Sequence, residues 1–315
     1  MVSKIKEVNY MTTQQATLNA FSKIRLDYIS DLFSLTKPRL SSLVIFTSAL
    51  GMFLAPGEIS ILRGLISIVA TSGLVGGACV INCLMEKEID SLMERTKDRP
   101  LPSGRVSSET ALFLGISLIA VCLGTLFFLI NPLTGFLGLV ATVTYISLYT
   151  PLKRKTSWAL FAGAIPGAIP PLMGWTTVTN SFGTLGLIIF SILFIWQLPH
   201  FLSISIYYAE DYNNADIKTF PAYIGFRSTN HRIVLYTIVL LLVSLLPSYF
   251  NSVSYQYKYY TTFLGGVFCI YSLFGYFYEE KSQAFRIWAR RYFFGSLIYL
   301  PCVFILMLFF RNGFN

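Results

Sequence analysis

Several stretches of this chain run for about 20 residues almost without charge, and that length of apolar helix matches the hydrocarbon core of a bilayer. GLISIVATSGLVGGACVI, just ahead of Asn82, is one of them. In lipid every backbone amide must be bonded within the chain, so spans of this length are helices. The apolar runs predict nine spans, near 40–56, 65–85, 110–130, 132–150, 158–177, 184–207, 232–250, 259–278 and 292–310. With 54% hydrophobic and 12% charged residues, the chain lies far from a soluble globular composition, in which about a quarter of residues are charged. The expected fold class is an all-α, polytopic membrane protein.

The basic residues fix an expected orientation. The segment before the first span and the loops after spans 2, 4, 6 and 8 carry 21 of the 24 Lys and Arg residues, and the opposite side keeps only Arg63, Lys258 and Arg311. Positive residues collect in cytoplasmic loops, which places the N-terminus inside and, after an odd number of spans, the C-terminus outside. That division reads as a cytoplasmic segment 1–39, a transmembrane domain 40–310 and a short outer tail 311–315. The net charge of +9 follows from the same loops and from anionic head groups, without any nucleic acid partner. Glu7, Asp27 and Asp31 interrupt the leading segment, whereas a mitochondrial presequence is nearly free of acids. A bacterial inner membrane is therefore expected, with the mitochondrial inner membrane as the alternative. Cys79, Cys83, Cys122, Cys269 and Cys302 all fall inside spans without a CxxC pair, as packing thiols do.

Two charged loops of similar length, 86–109 and 208–231, follow the second and sixth spans on the cytoplasmic side. The first opens with four carboxylates in nine residues, Glu86, Glu88, Asp90 and Glu94. Asn82, Glu86 and Asp90 recur every fourth residue and so share one helical stripe. Two carboxylates and an amide oxygen are hard donors suited to Mg2+, which keeps few protein ligands and takes the rest from phosphate and water. A solvated helix end paired with Lys87 and Arg95 has the same spacing, and the stripe alone leaves both readings open. Arg95 and Arg99 follow at once, and their forked donors suit a diphosphate; Pro100 and Pro102 then end the helix. An anion site beside a cation site is what a metal–diphosphate requires.

The second loop leaves a span containing Trp196, Pro199 and His200. A proline there removes a backbone hydrogen bond, and an intramembrane histidine needs a partner. Tyr207 and Asp211 lie one turn apart beyond it, beside Glu210 and Tyr212. Lys153-Arg154-Lys155 and Arg290-Arg291 serve either topology or phosphate. Gly163, Pro166, Gly167, Pro170 and Pro171 break the fifth span, as where irregular backbone lines a cavity.

The motifs NCLMEKEIDSLMERTKDRPLPSGRVS, YTPLKRKT, GAIPGAIPPLMGW, WQLPHF, EDYNNADIKTFP and RIWARRYFFGS, in this order from about Thr36 to Gly295, resemble the protohaem IX farnesyltransferases (haem O synthases). These are a branch of the UbiA-type intramembrane prenyltransferases. The first motif indicates the superfamily, and WQLPHF followed by Asp211-Tyr212 points to the haem branch. The resemblance implies a nine-helix bundle around a central cavity, capped by cytoplasmic loops. It implies Mg2+-dependent transfer of a farnesyl group from farnesyl diphosphate to a vinyl group of haem B, giving haem O for a terminal oxidase. It leaves room for contact with the downstream haem-modifying enzyme. By position, Asn82, Glu86, Asp90 and Asp211 are its metal and catalytic residues, and Arg95, Arg99, Lys153 and Arg154 its diphosphate partners. The candidate haem contacts are His200, Trp196, Tyr207 and Tyr212, with His200 either on iron or on a propionate. The chain departs from the family pattern at Glu86 and Glu88, where Asp is usual. Lys218 replaces a usual Pro, and Asp211 lacks a carboxylate four residues on.

Two rival functions fit part of the pattern. A prenyltransferase with an aromatic quinone-precursor acceptor would share the first motif, but WQLPHF argues against it. A secondary transporter also uses broken helices and intramembrane acids, but near the midplane, whereas these acids cluster at one membrane face.

Overall fold

The computed structural model describes residues 26–312, so most of the expected leading segment and the last three residues lie outside the described residues. Among the described residues the secondary structure is helical, apart from one isolated antiparallel bridge between Val253 and Arg311.

The helices begin where sequence offers their free amides a partner. Helix α1 (Pro38–Leu54) starts on Pro38, whose missing N–H costs nothing at a first helical position, behind Lys37 in the left-handed region at φ 52°. Helix α2 (Ile61–Met85) is capped by Ser60 and α3 (Ser108–Ile130, closing in a π turn) by Ser107. Asn131 accepts from Thr134 N at 2.8 Å to open α4 (Pro132–Leu152), which also loosens into a π turn at Thr144–Tyr149. Then follow α5 (Ala159–Thr179), α6 (Thr184–Tyr207), α7 (Phe226–Tyr249), α8 (Tyr255–Phe277) and α9 (Gln283–Phe309).

Among the described residues seven of these helices, all but α1 and α5, are long and apolar enough to cross a bilayer. The expected first and fifth spans coincide with α1, which is only 17 residues long, and with α5. The residues of α5 explain why it lacks a plain apolar signature. It buries Thr176, Thr177, Trp175 and three prolines among its neighbours, so packing decides its composition more than lipid does.

Helix α1 packs on α2, α5 and α9, and α6 packs on α5, α7 and α9. Glycine makes the α1–α5 contact possible: a Cβ on Gly51 would lie 2.0 Å from the Pro171 carbonyl oxygen, and one on Gly174 would lie 2.0 Å from that of Ser48. Such close backbone approach is the usual device of helix association in lipid. Toward the end opposite the acidic loops, Ser67 and Thr177 share a hydrogen bond of 2.7 Å, Thr134 and Thr176 one of 2.8 Å, and Asn131 donates to Thr176 O. These pairs satisfy polar groups that lipid would leave bare.

Both charged loops begin with the same break. Glu86 ends α2 at φ −97°, ψ 7°, and Tyr208 ends α6 at φ −102°, ψ 27°; each is followed by a six-residue helix, Lys87–Leu92 and Ala209–Asn214. The first acidic helix stops well before Pro100, contrary to expectation, because Met93 turns extended at φ −100°, ψ 130°. The Met93 carbonyl accepts from Thr96 N and Lys97 N, and Thr96 Oγ1 donates to the carbonyl of Asp90, so a hydrogen-bonded turn replaces the next helical turn. Met93 and Ile89 then pack on Ala215, Tyr212 and Ile217, joining the two loops over the bundle.

Candidate active site

The two loops close over a single cavity of about 970 Å3 that extends from their charged residues to the interior faces of α1, α5, α6 and α9. Its charged lining consists of six cations, Lys37, Arg39, Arg95, Arg99, Lys153 and Lys218, and two anions, Glu86 and Asp90. An anionic ligand is drawn to such a mouth.

The acidic stripe lies where its spacing put it, but each member is already engaged. Asn82 is fully buried; its Oδ1 accepts from Lys37 Nζ at 2.8 Å and from the Tyr145 hydroxyl at 3.4 Å, and its Nδ2 donates to Thr150 Oγ1 at 3.0 Å. This network ties the start of α1 and the end of α4 to α2. Lys153 Nζ holds both oxygens of Glu86, at 2.9 and 3.3 Å, and lies 4.8 Å from the Tyr149 ring centroid. Arg99 donates to Asp90 Oδ2 at 2.8 Å. The carboxylates are buried, whereas their cations keep about a quarter to a third of their side-chain surface.

Burial alone would push the Glu86 carboxyl up, but Lys153 and Lys37 outweigh it and hold the group below the usual carboxylate range. Burial alone would lower Lys153, and Tyr149 and Glu86 reverse that, so the ammonium stays charged well above the ordinary lysine range. Burial raises the Tyr212 hydroxyl at the rim.

At the inner part of the cavity the walls become apolar and aromatic. His200 lies between Trp196 and Phe293, each ring centroid 4.4 Å from its own, and its Nδ1 shares a 2.6 Å hydrogen bond with Ser296 Oγ. Its Nε2 has no hydrogen-bond partner among the described residues. Trp196 donates to the Ser296 carbonyl at 2.7 Å, which fixes α6 against α9. Gln197 donates to Ala164 O at 3.2 Å, and its amide fills the space beside Gly167, where a Cβ would lie 2.0 Å from Oε1.

The structure thus brings Glu86, Asp90, Arg95, Arg99, Lys153, Trp196, His200 and Tyr212 around one space. Arg154 is exposed at the edge, and Asp211 and Tyr207 are half-buried; none of the three lines the cavity. Tyr207 instead packs under Arg290, 5.5 Å from its ring centroid. Among the described residues no three His, Cys, Asp or Glu side chains converge into a metal-holding group. Lys37, Arg39 and Tyr145 are cavity residues that the sequence reading did not single out. Nothing local in the sequence marks them: Lys37 and Arg39 resemble topology-setting cations, and Tyr145 resembles an ordinary residue of an apolar span.

A helical membrane bundle that joins a cation-rich, carboxylate-bearing mouth to a largely apolar chamber has the form of a site for an anion with a long apolar tail. The sequence model of the UbiA prenyltransferase family matches residues 44–298, and the chain belongs to that family. It is a multi-pass membrane protein and a prenyltransferase. Protoheme IX farnesyltransferase of Myxococcus xanthus is 44% identical over 287 residues, which cover 91% of this chain and 96% of that relative. Among solved structures, a digeranylgeranylglyceryl phosphate synthase matches with a TM-score of 0.75 at 15% identity, over 90% of this chain and 98% of the other. A UbiA homologue from Archaeoglobus fulgidus bound to GPP and Mg2+ matches with a TM-score of 0.63 at 13% identity, over 88% and 99%. At these identities the structural likeness carries the fold.

Proposed function

We propose that this enzyme transfers a farnesyl group from farnesyl diphosphate to a vinyl group of haem B, giving haem O, with Mg2+ bound at the cavity mouth. The observation that carries the reading is the two-ended cavity: cations and two buried carboxylates at one end, and His200 between aromatic rings at the other. The 44% identity to a relative named for this reaction supports the choice of substrates.

The residues present suit the metal. Mg2+ takes one or two carboxylates and completes its shell with substrate phosphate and water, so Glu86 and Asp90 suffice without a third acid. When bound, it would neutralise charge on the departing diphosphate.

The chain's own residues supply the rest. Arg95, Arg99 and Lys153 offer donors to the diphosphate as the C1–O bond breaks and its electron pair leaves with oxygen. Lys37 and Arg39 add to this cationic field. The allylic cation at farnesyl C1 is then attacked by the vinyl π electrons, and the cation this leaves on the carbon next to the porphyrin ring takes up water, which gives up a proton, to form the hydroxyl-bearing side chain of haem O. Apolar walls from α1, α5 and α6 keep water from the allylic cation until the new C–C bond forms. His200, stacked between Trp196 and Phe293 with Nε2 unpaired, is oriented to meet the porphyrin. Asn82, saturated by Lys37 and Thr150, positions the stripe. Asp211 stands just outside the cavity lining on the second loop and belongs to the metal end of this reading. The charged loops face the cytoplasm of a bacterial inner membrane, with 40–310 as the working domain.

The test is an incubation of the purified protein with haem B and farnesyl diphosphate, with product mass read with and without chelator. A farnesylated haem that depends on Mg2+ is expected. A farnesylated quinone precursor formed in its place, or no haem product with Mg2+ present, would contradict the reading.

A further inference from the structure

We propose that the divalent metal and the prenyl diphosphate enter this site as one unit, because Lys153 and Arg99 occupy the carboxylates that the metal would take. The proposal rests on the metal–diphosphate reading above and adds to it a coupling between the two ligands.

Each acid of the mouth has its own cation. Lys153 spans both oxygens of Glu86, and Arg99 holds Asp90 at 2.8 Å. A bare dication must displace these partners while facing a wall whose six cations exceed its two anions. Like charges in a partly buried site repel it. A diphosphate monoester with one dication carries a net charge of about −1, and the same wall attracts it. Its phosphate oxygens also replace the carboxylates as acceptors for Lys153 and Arg99, so the acids are freed in the step that brings the metal.

The geometry suits an exchange by side-chain motion alone. The backbone of Lys153 is held from both sides, its N–H donating to Tyr149 O and its carbonyl accepting from Lys218 N, each at 3.2 Å. Arg99 N donates to Thr96 O at 3.0 Å. Both side chains line the cavity, and both retain exposed surface next to a buried acid. The Tyr149 ring lies under the ammonium of Lys153.

The experiment titrates the purified protein with Mn2+, reading free Mn2+ by its EPR signal, in the absence and presence of farnesyl S-thiolodiphosphate, an analogue that binds without ionising. The solution Mn2+–analogue complex is measured separately. In the wild type, Mn2+ alone binds weakly and the analogue tightens it by about tenfold or more, with reciprocal tightening of the analogue by Mn2+. Lys153→Met, by freeing Glu86, tightens Mn2+ alone by about tenfold and shrinks the coupling, whereas Lys153→Arg restores wild-type behaviour. Arg99→Met makes the same test at Asp90 should Lys153→Met fail to fold. Equal Mn2+ affinity with and without the analogue overturns the proposal, as does unchanged metal-alone affinity in the folded Met variants. Absence of protein-bound Mn2+ in both conditions overturns the metal–diphosphate reading itself, and the proposal with it.

Discussion

Lys153 Nζ lies 2.9 Å from Glu86 Oε1, and through that pair the end of α4 is fastened to the break that ends α2. The folded-state pKa of Glu86 lies below its ordinary 4.5, because Lys153 and Lys37 outweigh the burial that would raise it. A depressed carboxyl contributes stability that is present above the unfolded pKa and is lost as pH falls through the folded one. The difference in thermal stability between wild type and Glu86→Gln is therefore constant from neutral pH down to about 5 and narrows below 4.5. Stability curves of both proteins against pH check this, and a difference that persists undiminished to about pH 3 counts against the pair.

Asp90 is buried with Arg99 as its ion-pair partner at the cavity mouth. Asp90→Ala is expected to lower the rate of farnesyl transfer by at least about 100-fold, the scale seen when one group that stabilises developing charge is removed. The variant should still elute as a folded protein, since Arg99 keeps about a third of its side chain exposed. Transfer at the wild-type rate, with Mg2+ removed by chelator, would refute the metal role.

The α1–α5 contact predicts a loss of stability from a single methyl group. Gly174→Ala and Gly51→Ala each drive a Cβ into a carbonyl oxygen, which cannot rotate away, so the helices must part, at a cost of about 1–3 kcal/mol. Gly124→Ala and Gly266→Ala, inside helices and with nothing within 4 Å of the new carbon, do not lower the melting temperature and raise it slightly, by the helix preference of Ala over Gly. Thermal unfolding in detergent separates the two classes.

The charge asymmetry predicts topology. With 21 of 24 basic residues on one side, a reporter fused after Asn315 should be active only on the non-cytoplasmic face. A cytoplasmic signal would mean an even number of crossings.

Much of this arrangement was legible in the chain because lipid imposes so strict a pattern. Seven long helices fall on the apolar runs, and Glu86 and Asp90 of the i, i+4, i+8 stripe line one cavity, whereas Asn82 is buried behind them against Lys37 and Thr150. The break at Glu86 was not legible. Nor was the packing of Met93 and Ile89 on Ala215 and Ile217 of the other loop, a contact over more than a hundred residues with no local signature. Lys37 and Arg39 were hidden for a different reason. A cation that sets topology and one that lines a cavity look alike in sequence, and only the position of α1 beside α2 distinguishes them. The same ambiguity runs the other way at Arg154, which the structure leaves exposed. Lys218, which stands where the family usually has Pro, proved to line the mouth and to bond the Lys153 carbonyl through its N–H, a donor that proline lacks.

In the proposed reaction one cavity holds a diphosphate at its charged end and a porphyrin at its aromatic end, and affinities for both ligands in two variants separate the two ends. His200→Ala removes the ring stacked between Trp196 and Phe293 and leaves the mouth untouched. Asp90→Ala alters the mouth and leaves the aromatic end intact. In variants of unchanged thermal stability, His200→Ala is expected to weaken binding of haem B and not of farnesyl S-thiolodiphosphate with Mg2+. Asp90→Ala should do the reverse. Unaltered haem affinity with unaltered turnover in His200→Ala, or parallel loss of both ligands in both variants, would contradict this arrangement.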